Sequence, residues 1–393
     1  MNKLRWCLAV ALLGLAALPQ GQTAAGVSGV VYDDANGNGR RDPGEQGVQG
    51  IAVSNQHDVV LTAGDGRYSL PGAGHGVVFV SLPGDREAVG SFWQKADGAS
   101  GPLDFALTRR QDQEDFSFIH ASATHVSAQP IGRVRLLRAI VDARRPDFVL
   151  VTGDLIRDAL RVDEEEARRY YDLYVDEIRR LPRPVWSVPG NHENFGIERH
   201  LSLVSPKHPL YGKGMYRQRL GPNYYSFTRG GVHFVGVDSV DIADLWYYGH
   251  VDATQLAWLK ADLARLPAGT PVVTFNHIPF VTALDAVSGY RDDGPAPTLI
   301  TVAGRTSFRH VVSNFAEVRA ALAGHDWPLA LGGHMHTRES IRYESAVGTR
   351  FHQAAAVVGP TDGVVPASSG VTLYRVRAGV IDDGEFLRMD DKR

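Results

Sequence analysis

Five short polar blocks carry the residue types that can do chemistry: Ala123-Thr124-His125, Gly153-Asp154, Gly190-Asn191-His192-Glu193, Asn276-His277 and Gly333-His334-Met335-His336. Together they hold a carboxylate, an amide and several imidazoles, the nitrogen and oxygen donors of a two-metal site. Any one block alone is also what a turn with a core or surface histidine looks like. Thiolate ligation is excluded, because the only cysteine, Cys7, sits in an N-terminal stretch that reads as cleaved.

A second cluster of donors lies near the start. Asp34-Ala35-Asn36-Gly37-Asn38-Gly39, followed by Asp42 and Glu45, fits the calcium-loop pattern D-x-[DN]-x-[DN]-G-x5-E. Side-chain oxygens of Asp34, Asn36, Asn38, Asp42 and Glu45, with the Arg40 carbonyl, can wrap a calcium ion, and Gly39 stands at the sharp turn. The flanking patterns are strands, so this is not a helix-loop-helix hand. An Asx-rich turn that needs no ion is the alternative.

These blocks need elements to hold them. From residue 26 to about 112 the chain is rich in Gly, Val and Asp, with short alternating runs such as Val27 to Tyr32, Gly50 to Ser54, Arg67 to Leu70 and Gly76 to Leu82, the signature of a small β-sandwich. From Phe116 the texture changes. Apolar strands are predicted at Phe116 to Ile119, Phe148 to Val151, Val185 to Val188, Val232 to Val237 and Val272 to Phe275, alternating with helices, the clearest at Asp163 to Arg180 and Asp252 to Leu266. Asp252 and Gln255 have capping-box spacing. That alternation describes a layered α/β domain over residues 113–393. Several blocks directly follow a predicted strand, which gathers their side chains at the carboxyl edge of a sheet, where ligands bind in such folds. The aromatic-rich stretch from Asn194 to Phe227, without a clean period, reads as a functional cover. Val371 to Val376 reads as a last strand.

Composition sets the outer bounds. Among 393 residues, 44% are hydrophobic and 22% charged, which suits globular domains and excludes disordered, collagen-like and coiled-coil readings. Forty-one basic residues against 44 acidic ones, with no basic run, supply no footprint for nucleic acid. Residues 1–25 read as a secretory signal peptide: Lys3 and Arg5 lead, Cys7 to Leu18 is apolar, Pro19 breaks it, and Thr23-Ala24-Ala25 offers a cleavage site. Its apolar run is shorter than the ~20 residues of a spanning helix, so a periplasmic or secreted mature chain with no transmembrane segment is expected.

The five blocks, in this order, resemble the calcineurin-like metallophosphoesterase family, whose pattern runs D-x-H, G-D, G-N-H-[DE], H, G-H-x-H; the match covers roughly Phe116 to Val376. The stretch Gly29 to Leu70 resembles the calcium-binding B-type repeats of bacterial surface proteins, and the two together resemble an exported bacterial subfamily. The resemblance implies a layered α/β/β/α sandwich after a small all-β sandwich, and two divalent transition metals (Mn, Fe or Zn). It makes Asp154 the bridging carboxylate, His125 and His336 ligands of the first metal, and Asn191, His277 and His334 ligands of the second. It implies that a hydroxide bridging the metals attacks the phosphorus of a phosphomonoester or phosphodiester, from a small molecule or the cell envelope. Asn191 would stabilise equatorial charge and His192 would protonate the leaving alkoxide; Asp158 and Glu193 are candidates to orient His192, against the alternative of solvated turn residues.

One position departs from the family. Ala123 stands where the first block has Asp, so the first metal loses a ligand and a negative charge and becomes labile. His120 is no simple replacement, since the period of two on a strand points it away from Ala123. A natural variant, an introduced substitution, and an impaired member that binds phosphorylated ligands or surface glycans all fit the sequence. Arg309, His310, Arg338 and His200 are further candidates to grip a phosphate, and Trp246, Tyr247 and Tyr248 to line a pocket, against ordinary surface, capping or core roles.

Overall fold

The computed structural model describes residues 26–129, 131–293, 297–343, 348–359 and 369–389. The stretch 1–25, with Cys7 and the expected signal peptide, lies outside the described residues.

The first region holds two four-stranded sheets. One is ordered Arg67–Leu70, Val27–Asp33, Phe105–Arg109, Arg86–Ala88, the other Val59–Leu61, Ala52–Ser54, Val77–Ser81, Trp93–Lys95. Alternation drives burial directly in Arg67–Leu70, where Tyr68 and Leu70 are buried and Arg67 and Ser69 exposed.

The second region builds two six-stranded sheets. In the first, Val185–Val188, Phe148–Thr152 and Phe116–Ala121 run parallel, and Gly370–Arg377 joins antiparallel to the last of these. In the second, Val232–Val237, Pro271–Asn276, Asp326–Gly332 and Arg350–Gln353 run parallel. Strand period two explains the layering. Ile119, Ala121, Val149 and Val151 share a core with Val134, Leu137 and Val141 of helix Ile131–Arg144 and Ala167, Tyr171 and Tyr174 of helix Glu164–Ile178. Their strand neighbours Phe118, Phe148 and Leu150 share the other core, with Phe234 and Phe275 of the second sheet. Strands buried on both faces read as continuous apolar runs, as these do. Phe148 and Phe234 meet edge to face at 5.3 Å between centroids.

Helix Ala253–Leu263 starts as expected, Asp252 accepting from the Gln255 N–H at 2.9 Å. The box is only half made, because the Gln255 side chain instead takes the Asp238 N–H at 2.8 Å and donates to the Asp238 carbonyl at 2.9 Å.

The stretch expected to form a cover packs into the body at both ends, residues 194–198 and 221–227 being buried, while residues 200–209 are mostly exposed. It forms the short helices Arg199–Ser202 and Gly214–Leu220 and then strand Tyr225–Arg229. Tyr216 and Tyr225 both donate their hydroxyls to the Ser187 carbonyl at 2.9 Å. Buried tyrosines need such acceptors, and finding them in the core pulls the segment inward.

The two regions share one apolar core, in which Val53 and Phe79 lie with Tyr224 and Trp258. Polar seams cross it: Trp258 Nε1 donates to Ser54 Oγ at 3.1 Å, Gln56 Nε2 to the Tyr224 carbonyl at 3.0 Å, and the Thr228 N–H to the Leu82 carbonyl at 2.8 Å.

Candidate metal centre

All five blocks emerge at the carboxyl ends of parallel strands. Ser122 to His125 follow Phe116–Ala121, Gly153-Asp154 follow Phe148–Thr152, Gly190 to Glu193 follow Val185–Val188, His277 follows Pro271–Asn276, and Gly333 to His336 follow Asp326–Gly332. The loops are sewn to one another: the Ala123 N–H donates to the Gly153 carbonyl at 3.0 Å, His125 N–H to Asp154 at 2.9 Å, and Gly333 N–H to His277 at 2.8 Å. Two glycines are required by space. A Cβ on Gly153 (φ +76°) would lie 2.5 Å from His277 Nδ1, and one on Gly190 would lie 2.3 Å from Asp154 Oδ1.

Asp154, 2% exposed, lies between two groups of donors. Its Oδ1 is 3.2 Å from His277 Nε2, and its Oδ2 is 3.6 Å from His125 Nε2. On the first side His336 Nε2 is 3.3 Å from His125 Nε2. On the second, His277 Nε2 is 3.0 Å from Asn191 Oδ1 and 3.1 Å from His334 Nδ1. Metal-competent groups form around both oxygens, His125, Asp154 and His192 on one side and Asp154, His277 and His334 on the other.

The chemistry of these donors fits a cation. His277 Nδ1 is 2.8 Å from the Thr152 carbonyl, which can only accept, so Nδ1 carries the proton of the neutral ring and Nε2 presents a lone pair. That lone pair faces Asp154 Oδ1, Asn191 Oδ1 and His334 Nδ1, and a cation among them would offset the repulsion between the lone pair and the two oxygens. Burial alone would push the His277 pKa down, yet the Asp154 carboxylate outweighs it and holds it above the ordinary value. Burial pushes His125 down to about 3 and lowers His336, and burial with the neighbouring His310 holds His334 well down. These are neutral imidazoles, the ligating form. Burial opposes ionisation of Asp154, but His277 and His192 hold its pKa well below the usual carboxylate range.

His192 is half-buried, its ring 4.6 Å from that of His125. Neither expected orienter touches it. Its Nδ1 lies 2.6 Å from the Arg157 carbonyl. Asp158 instead accepts from Arg161 and the Leu160 N–H. Glu193 turns the other way and accepts from the N–H groups of Asp154, Leu155, Ile156 and Gly190, which locks the bridging carboxylate's loop. Burial, then the Asp154 charge, pushes the Glu193 pKa up. The backbone carbonyl at Arg157 has no residue-type signature, so sequence reading had no means of finding it.

His120 is buried with its Nε2 2.9 Å from Thr152 Oγ1 and does not take Ala123's place. Arg309 is 2% exposed and stacks over Trp246 and Tyr247 at 4.8 and 4.3 Å, so it is not open to an entering phosphate. Tyr248 is buried against His250, which engages Asp241. His200 is exposed, and exposed Arg338 lies over the Phe386 ring. His310 does reach the centre, through His334.

In the first region, Asp34 is buried and accepts from the N–H groups of Gly37, Asn38 and Gly39. Asn36 and Asn38 both donate to Asp42 Oδ2, the Arg40 N–H donates to Asn38 Oδ1, and Glu45 accepts from the N–H groups of Ala35 and Asp42. These contacts tie the loop into one hydrogen-bonded turn, and the metal-competent groups of His, Cys, Asp and Glu found among the described residues are both at Asp154.

Two faced sheets with a divided N,O donor set at their carboxyl edges define the class, and comparison with known proteins places the chain within it. The profile of the calcineurin-like phosphoesterase family matches residues 116–338, and the chain belongs to that family. It is 28% identical over 134 residues to a 3′,5′-cyclic-nucleotide phosphodiesterase of Nostoc sp., covering 34% of this chain and 41% of that protein. It is 24% identical over 148 residues to a probable glycerophosphodiester phosphodiesterase of Arcobacter nitrofigilis, covering 34% and 43%. The chain thus spans about four-tenths of the length of these curated relatives. Among solved structures, a dimetal phosphatase from Danio rerio aligns over 70% of this chain and 99% of its own, with 16% identity and a TM-score of 0.44.

Proposed function

We propose that the chain is a metal-dependent phosphoesterase whose first substrates to try are phosphodiesters, with Asp154, His125 and His336 serving one metal and Asp154, Asn191, His277 and His334 the other. The observation that carries this reading is the division of the Asp154 carboxylate, one oxygen toward each donor group. Phosphodiester specificity draws on the names of the two curated relatives. Two divalent cations, when bound, would supply an activated water and neutralise phosphate charge; manganese, iron and zinc all suit these donors.

The protein's part is positional. The Thr152 carbonyl keeps His277 Nε2 available for ligation. The Arg157 carbonyl does the same for His192, whose Nε2, when protonated, can deliver a proton to a leaving alkoxide. The His192 N–H also reaches Asp154 Oδ1 at 3.2 Å, so the acid and the bridging carboxylate share one rigid corner.

Ala123 favours a second reading, an impaired member that retains a binding cleft for phosphorylated ligands or surface glycans. Hydrolysis of bis-p-nitrophenyl phosphate and p-nitrophenyl phosphate with added manganese supports the first reading; a folded protein that turns over neither with any of manganese, iron or zinc supports the second.

Calcium in the Asp34 to Glu45 loop and export of the mature chain complete the proposal. The match of the loop to the calcium pattern supports the former, the pattern of residues 1–25 the latter. Calcium at ~100 times Kd should raise the stability of the full chain by about 2.7 kcal/mol, read by calorimetry against chelator. Coincident melting curves would remove calcium from the loop.

A further inference from the structure

Three imidazoles of the centre have an outward nitrogen tied to a neighbour, and one tie differs in kind. His277 and His192 are held by backbone carbonyls, of Thr152 and Arg157. His334 is held by a side chain: its Nε2 is 2.6 Å from His310 Nδ1, while its Nδ1 faces His277 Nε2 and the donor group. The two rings are inclined by only 27° with centroids 4.9 Å apart, longer than the N···N distance by about two ring radii. They therefore meet edge to edge, as an in-plane hydrogen bond requires, and not face to face.

The direction of that bond follows from the metal-site reading. His334 Nδ1 faces the donor group, and a ligating nitrogen must present its lone pair, so a neutral His334 carries its proton on Nε2. That proton is then donated to His310 Nδ1, which is the acceptor. Holding the proton on Nε2 keeps His334 Nδ1 as a lone pair pointed at the donor group.

The surroundings hold His310 in place. It follows the hairpin Leu299–Val302 and Arg305–Phe308. The Arg309 carbonyl accepts from the Gly249 N–H at 3.1 Å, and the Ser313 N–H donates to the Gly249 carbonyl at 2.8 Å, tying that hairpin to Val240–Ala243 and Trp246–Gly249. The Arg309 guanidinium lies over Tyr247, whose ring packs edge-on to His334 at 5.9 Å.

We propose that His310 is a positioning residue that fixes the tautomer and ring orientation of His334 and thereby tunes affinity at the second metal position; this rests on the metal-site reading above. Hydrogen-bond partners of ligating histidines are typically worth 10- to 100-fold in metal affinity.

The test compares full-length wild type, His310→Leu and His310→Asn, each stripped of metal and titrated with cobalt(II), read by visible absorption and bound-metal analysis. Asn places Oδ1 where Nδ1 stands and keeps the acceptor; Leu removes it. The expected result is a roughly 10- to 100-fold weaker second cobalt equivalent in His310→Leu with an altered ligand-field band, and recovery to within about threefold of wild type in His310→Asn. Should His310→Leu fail to fold, His310→Gln, whose acceptor is displaced by one bond, reads the same loss. Equal affinities in wild type and the acceptor-deficient variant, or equal weakening in His310→Leu and His310→Asn, would overturn the positioning role. A wild type that binds no cobalt would overturn the metal-site reading itself.

Discussion

Replacing Ala123 with Asp is the perturbation that most directly probes the centre. Ala123 is 1% exposed and left-handed, at φ +51°, its N–H bound to the Gly153 carbonyl and its own carbonyl receiving the Val358 N–H, both at 3.0 Å. A left-handed alanine costs about 1 kcal/mol or more, and aspartate tolerates that conformation better, so the backbone favours the change slightly. Without metal the balance reverses, because a second carboxylate is then buried beside Asp154. With metal, a charge pair at about 4 Å is worth about 4 kcal/mol at an effective dielectric of ~20. Burial takes back roughly a third to two thirds of that, leaving about 1.4 to 2.8 kcal/mol, a 10- to 100-fold lower Kd. Manganese titration of stripped wild type and Ala123→Asp, followed by bis-p-nitrophenyl phosphate hydrolysis and by thermal melting, reads both halves. The variant should melt below wild type in chelator and above it in manganese, with half-maximal activation at 10- to 100-fold less metal. Superimposable titrations and an unchanged melting order would refute the reasoning, and would mean that position 123 does not face the first metal.

Other expectations follow from the same geometry. His192→Ala should keep its bound metal and lose roughly 100- to 10,000-fold in kcat for substrates with poor leaving groups, with much smaller losses for p-nitrophenyl esters; equal losses for both would remove His192 as the general acid. Glu193→Gln puts an amide donor against backbone N–H groups and should cost roughly 2 to 3 kcal/mol in urea unfolding, with weaker metal retention because the Asp154 loop is loosened; wild-type stability would show that the four N–H contacts do not need a carboxylate. His75, half-buried near the Tyr224 ring, has its pKa lowered from 6.5 to about 3, first by burial and then by Arg217. The unfolded chain therefore binds more protons at His75 below pH 6.5, so stability is full above that value and falls as the pH drops toward 3. Its share at pH 5, discounted for partial exposure, is about 1 kcal/mol. His75→Gln should flatten the acid limb of the metal-loaded protein's stability curve by that amount, and an unchanged slope would assign the acid sensitivity elsewhere.

What the sequence made legible was whatever repeats with a short period or sits at a strand end. Phe116–Ala121 and Phe148–Thr152 read as strands because both faces are buried, and the blocks after them were readable because parallel strands deliver their carboxyl ends to one edge. The later part of Asn194 to Phe227 is core and not cover, because its order comes from tertiary acceptors, the Ser187 carbonyl above all, which leave no period in the chain. For the same reason Asp158 and Glu193 looked like partners for His192, although the Arg157 carbonyl holds the ring. Backbone acceptors are invisible to a reading by residue type. The merging of the two regions was equally hidden, since Trp258 and Ser54 are far apart in sequence and ordinary in composition.

The strained backbone adds a separate argument. Of the eleven left-handed, non-glycine φ angles among the described residues, five, at Ala123, His125, Asp154, His334 and His336, fall within the short blocks that form the centre. Each costs of order 1 kcal/mol or more and persists only where the surroundings dictate it. Strain of this kind concentrates where side chains must be aimed rather than merely buried. At Ala123 the dictation persists although no ligating group remains to be aimed: the Gly153 and Val358 contacts still hold the turn. The loss at position 123 is therefore a loss of chemistry and not of scaffold. A single carboxylate introduced there should meet a site already shaped to receive it.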